Sequence, residues 1–108
     1  MNDIPYEVSS GNVFADLGFT DPEEELVRAD LAHRIATIIE DRGLTQVEAA
    51  AIMGINQPKV SALVRGRFNG FSFERLARYL IALGQDVEIV IRPTNDQGRL
   101  RVREESPA

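Results

Sequence analysis

The sequence predicts a mostly α-helical domain, a bundle of four to five helices with one C-terminal β-strand. Three observations carry this. Capping residues, apolar residues at helical spacing and terminating glycines recur in that order between Asp21 and Gly84. Residues 87–92 then switch to β-branched alternation, stopped by Pro93. The 108 residues are 44% hydrophobic, which provides one core and leaves no material for a second domain.

The expected organisation is an acidic N-terminal arm (1–20), a helical domain (21–84), a dimerisation strand (85–93) and a mobile, polar tail (94–108). The arm scatters Ile4, Tyr6, Val8, Val13, Phe14, Leu17 and Phe19 among Pro5, Gly11 and Gly18 without a sustained period. At Asp21 a helix start is expected: Asp21 caps the free amides, Pro22 suits the first helical position, and Glu23, Glu24 and Glu25 complement the positive end of the dipole. Val27, Leu31, Ile35, Ile38 and Ile39 share one face until Gly43 ends the helix.

Thr45 and Glu48, three apart, predict a capping box for a second helix running to Met53. Gly54 permits a left-handed turn, and Asn56 caps a third helix whose first turn tolerates Pro58 because its amides have no intrahelical partner. That helix ends at Gly66. After Asn69-Gly70, Ser72 caps a fourth helix that buries Phe73, Leu76, Ala77 and Leu80, with Phe71 and Leu76 as a staple, and Gly84 closes it.

Two short helices meeting steeply need a small residue at the approach, a glycine in the turn and apolar residues that lock the second helix down. Ala50, Gly54, Ile55, Val60 and Leu63 meet those needs within QVEAAAIMGINQPKVSALVRG, residues 46–66. The net charge of −5 argues against nucleic acid, but its distribution reverses that. Residues 1–41 hold ten acids against Arg28 and Arg34, whereas residues 42–79 hold Arg42, Lys59, Arg65, Arg67, Arg75 and Arg78 against Glu48 and Glu74. An acidic arm on a basic centre implies two surfaces for two partners.

The segment between about residues 22 and 83 resembles the lambda-repressor-like, XRE-type helix-turn-helix regulators. GNVFADLGF (11–19), DPEEELVRADLAHRI (21–35), LTQVEAAAIMGINQPKVSALVRG (44–66) and VEIVIRP (87–93) together resemble the HigA-like antitoxin branch. A cytoplasmic location is expected from the lack of cysteine, membrane span and signal-peptide pattern. Separately, the resemblance implies a repressor of its own operon that neutralises a RelE/HigB-type toxin. It also implies that the third helix enters the major groove of double-stranded operator DNA, presenting Asn56, Gln57, Pro58, Ser61 and Ala62. Gln57 is the base-reading candidate, because an amide donates and accepts together as adenine requires. Gln46, Lys59, Arg65 and Arg67 are the phosphate-facing candidates. By themselves, Gln46 and Gln57 read equally well as solvated residues at helix starts.

Val60 and Leu63 are core by spacing; Phe68, Phe71 and Phe73 pack, since a duplex offers no unstacked base; His33 lies on the helix surface. The lone strand requires a partner. Two antiparallel copies with Val90 on the axis would set Ile89 against Ile91 and Glu88 against Arg92, making Val87 to Arg92 a homodimer interface; the alternative is a hairpin to Leu100–Val102.

Three functions therefore stand side by side. In the first, the arm anchors a small basic toxin through Val13, Phe14, Leu17 and Phe19. In the second, the protein is a regulator without a toxin and the arm packs on its own domain. In the third, it is an interaction module that no longer binds DNA. No enzyme, cofactor or metal is expected, because no cysteine is present, His33 stands alone and no acids pair by motif. Neither a membrane span of roughly 18 apolar residues nor a signal peptide is read.

Overall fold

Helix boundaries in the computed structural model, which describes residues 21–105, follow the capping chemistry. Among the described residues there are four helices, α1 (Asp21–Asp41), α2 (Gln46–Met53), α3 (Gln57–Val64) and α4 (Phe73–Ala82). At the start of α2 the Thr45 hydroxyl accepts from the Glu48 amide at 3.0 Å, and the Thr45 amide donates to the Glu48 carboxylate at 2.8 Å. Asn56 accepts from the Lys59 amide at 2.9 Å, and Ser72 from the Arg75 amide at 3.1 Å. The arm, with Val13, Phe14, Leu17 and Phe19, lies outside the described residues, as does the Asp21 side chain expected to cap α1.

The apolar stripe of α1 is the spine of the core. Val27, Leu31, Ala32, Ile35 and Ile39 are buried, Ile38 is half-buried, and the helix packs on α3 and α4. Val60 and Leu63 from α3 and Leu76 from α4 have no exposed surface, and Leu83 just beyond α4 joins them. Phe71 is buried before α4, its ring edge-to-face with Tyr79 at 6.1 Å, while Phe73 and Ala77 are half-buried. The expected staple partners, Phe71 and Leu76, are thus both core residues.

Two arginines of α1 and its end tie the bundle together. Arg28 donates to the Phe71 carbonyl at 3.2 Å and sits 5.4 Å over the Phe68 ring, fastening the segment between α3 and α4 to α1. Arg42 donates to the Leu83 carbonyl, where the unpaired carbonyls of the α4 terminus favour a cation.

Residues 87–92 differ from expectation. Among the described residues there is no strand, and this segment forms no backbone ladder with Leu100–Val102. A strand exists only through the hydrogen bonds of a neighbour, and the described residues supply none here. Ile89, Val90 and Ile91 are 70%, 59% and 90% exposed, and Glu88 and Arg92 are exposed. Leu100 and Val102 instead pack, half-buried, against the helical core, and Glu104 accepts from Arg34 at 3.0 Å. The polar composition of residues 94–108 gave no sign of these contacts.

Candidate nucleic-acid interface

The turn between α2 and α3 fixes how the third helix is presented. Gly54 adopts φ +73° and ψ +31°, and its amide donates to the Ala50 carbonyl at 2.8 Å, with the Ile55 amide adding a second bond to the same oxygen at 3.1 Å. No atom lies within 4 Å of where a Gly54 Cβ would stand, so the left-handed backbone, not crowding, demands glycine. The small residues expected at the helix approach are present: Ala49 is fully buried and Ala50 nearly so. Sequence reasoning singled out Ala50 and passed over Ala49, which carries the same signal one position earlier.

Val60 and Leu63 point α3 inward, which settles the face turned outward. Pro58, Ser61, Ala62 and Arg65 follow one another at helical spacing on the opposite side, with Gln57 on one flank and Lys59 on the other. Gln57, Pro58, Arg65 and Arg67 are exposed; Gln46, Lys59, Ser61 and Ala62 are half-buried. Asn56 is exposed but its carboxamide oxygen is engaged as the cap, leaving only its NH2 group to donate outward.

The basic centre read from the sequence divides in two. Arg42 and Arg78 are occupied, the first at the end of α4 and the second with Glu74 at 2.9 Å. Arg28, in the acidic half of the chain, is likewise committed to Phe68 and Phe71. No ion pair among the described residues engages Lys59, Arg65 or Arg67, which flank α3. Lys59 near the start of α3 and Arg65 and Arg67 at its end form a basic surface suited to a polyanion. Among the described residues no cluster of potential metal ligands exists, and no helix is long and apolar enough to cross a membrane.

A capped helix, a left-handed glycine turn and a second helix locked down by two buried aliphatic residues define a helix-turn-helix unit. Residues 13–92 match the family model of a helix-turn-helix domain, and the chain belongs to that family, which is not an enzyme class. A solved structure named "Putative XRE Family Transcriptional Regulator" is similar with a TM-score of 0.76 and 45% identity, over 80% of this chain and all of that one. Two proteins of Mycobacterium tuberculosis are also similar. "Putative antitoxin HigA3" is 40% identical over 68 residues, 62% of this chain and 62% of that protein. "Putative antitoxin HigA2" is 33% identical over 61 residues, 56% of this chain and 60% of that protein. The chain thus matches less than two thirds of the length of either.

Proposed function

We propose that this protein is a dimeric, sequence-specific DNA-binding repressor that serves as the antitoxin of a toxin–antitoxin pair. The observation that carries the DNA reading is the outward face of α3, where Gln57, Ser61 and Arg65 stand exposed or half-exposed above a fully buried Val60 and Leu63. In this reading Gln57 reads a base edge and Gln46, Lys59, Arg65 and Arg67 hold phosphates. Asn56, Pro58 and Ala62 line the approach, with the Asn56 NH2 group as a further donor. The antitoxin role rests on the likeness to the two mycobacterial proteins.

Dimerisation is proposed through Val87 to Arg92. Its support is the exposed apolar run, whose backbone edges find no hydrogen-bond partner among the described residues. Two copies would then present their α3 helices to half-sites about one helical turn apart.

Fluorescence anisotropy on DNA from the protein's own promoter, titrated across salt, tests the core of the proposal. Tight, salt-sensitive binding that Gln57→Ala and Arg65→Ala together abolish is expected. Absence of binding at low salt would leave an interaction module. The toxin arm is tested by deleting residues 1–20: toxin capture should vanish while DNA affinity stays. If the chain binds its promoter but no neighbouring gene encodes a small basic protein, a regulator without a toxin is the better reading.

A further inference from the structure

Arg28 belongs to α1, in the acidic half of the chain, yet its guanidinium reaches the segment that follows α3. It donates through Nη1 to the Phe71 carbonyl at 3.2 Å and stands 5.4 Å over the Phe68 ring. We propose that Arg28 is a positioning residue of the DNA interface: by pinning Phe68 and Phe71 to α1 it turns the neighbouring Arg67 and Asn69 outward, toward the phosphates of a bound duplex. The inference rests on the DNA-binding reading above and adds to it a residue that acts from behind the interface.

The two ends of this segment are held differently. Its start belongs to α3: the Gly66 amide donates to the Leu63 carbonyl at 3.0 Å and the Arg67 amide to the Ala62 carbonyl at 2.8 Å. Its end is a turn of its own, in which Gly70 is left-handed at φ +87° and the Phe71 amide donates to the Phe68 carbonyl at 3.1 Å. Arg28 spans that turn, stacking on the residue that opens it and bonding the residue that closes it. Phe71 is buried and Phe68 half-buried, whereas Arg67 and Asn69, on either side of Phe68, are exposed. With the middle ring drawn inward, its two neighbours have the outward side left to them. Arg67 enters no ion pair among the described residues, so its guanidinium is available to a phosphate.

Stability alone does not ask for arginine at this position. The Arg28 Nε is buried with no hydrogen-bond partner among the described residues. An unpaired buried donor works against folding, and an apolar side chain of similar length would fill the space without it. What the guanidinium alone provides is a flat face for a ring together with a fork that reaches a carbonyl. Lysine keeps the charge and loses that geometry, so the charge and the clamp can be separated by one substitution.

A double-mutant cycle in the full chain tests this, read as affinity for the promoter DNA across salt, with thermal unfolding followed on the same samples. Arg67→Ala in the wild-type background should weaken binding several-fold and lower the salt slope by about 1. Arg28→Lys should do the same, and adding Arg67→Ala to it should then change affinity by less than about twofold. Phe68→Leu, which removes the ring and leaves Arg28, should repeat this non-additivity with Arg67→Ala and serves if Arg28→Lys folds poorly. Discrimination between promoter and random DNA, which depends on Gln57, should stay unchanged throughout. A residue that only stabilises the fold would instead lower melting temperature and discrimination together and leave Arg67→Ala its full effect. Arg67→Ala without effect in the wild-type chain, the same effect of Arg67→Ala in both backgrounds, or Arg28→Lys binding as the wild type would each overturn the proposal. If the wild-type chain does not bind the promoter at all, the DNA-binding reading fails first, and this proposal fails with it.

Discussion

At the scale of single residues, the side chains that build the interface serve conformation before they serve recognition. Gly54 holds a left-handed backbone that any other L-residue enters at a cost of about 1–2 kcal/mol. Gly54→Ala is therefore expected to lower unfolding free energy by about that much in urea titration, with the native spectrum kept. Tyr79 behaves oppositely. Its hydroxyl is buried with no hydrogen-bond partner among the described residues, although its ring packs against Phe71. Tyr79→Phe removes a desolvated oxygen and keeps the ring, so thermal unfolding should show stability unchanged or raised by up to about 1 kcal/mol. On the recognition side, Gln57→Ala should cost about 1–3 kcal/mol on the cognate site and little on random DNA. Arg65→Ala should weaken both alike and reduce the salt slope by about 1.

At the scale of elements, α3 is held by two side chains and aimed by one turn. Leu63 has no exposed surface and lies where α3 meets the rest of the core. Leu63→Ala is expected to destabilise by about 2–5 kcal/mol, the spread reflecting how far the site closes over the cavity. Because the same residue fixes the outward face of α3, DNA affinity should fall even at temperatures where the variant remains folded. The link from α1 to the chain's end is weaker in kind. Arg34 joins Asp30 within α1 and reaches Glu104, whose side chain is 76% exposed. A pair so open to solvent is screened, so Glu104→Gln should leave the melting temperature nearly unchanged.

For the whole molecule, the proposed assembly turns on the exposed apolar run of Val87, Ile89, Val90 and Ile91. Ile89 and Ile91 are unsatisfied in the single chain, and Ile91 is almost fully exposed. Ile89→Asp and Ile91→Asp together should convert a dimer to monomers in sedimentation velocity and reduce affinity for a two-half-site operator. A single half-site should be bound as before.

The helix ends and the helix-turn-helix of the described residues were legible from the sequence, because each depends on neighbours within four residues. Thr45 with Glu48, Asn56 with Lys59, Ser72 with Arg75 and the turn at Gly54 are local bonds written in residue type and spacing. The core stripe of α1 was legible for the same reason. The fate of the basic residues was not. Counting placed Arg42, Arg65 and Arg78 in one positive centre, yet Arg42 is spent on a carbonyl 41 residues away while no ion pair among the described residues engages Arg65. The packing of Leu100 and Val102 on the core was equally hidden. Local chemistry fixes a helix before it meets anything else, whereas the partner of a long side chain is decided only when distant segments are brought together.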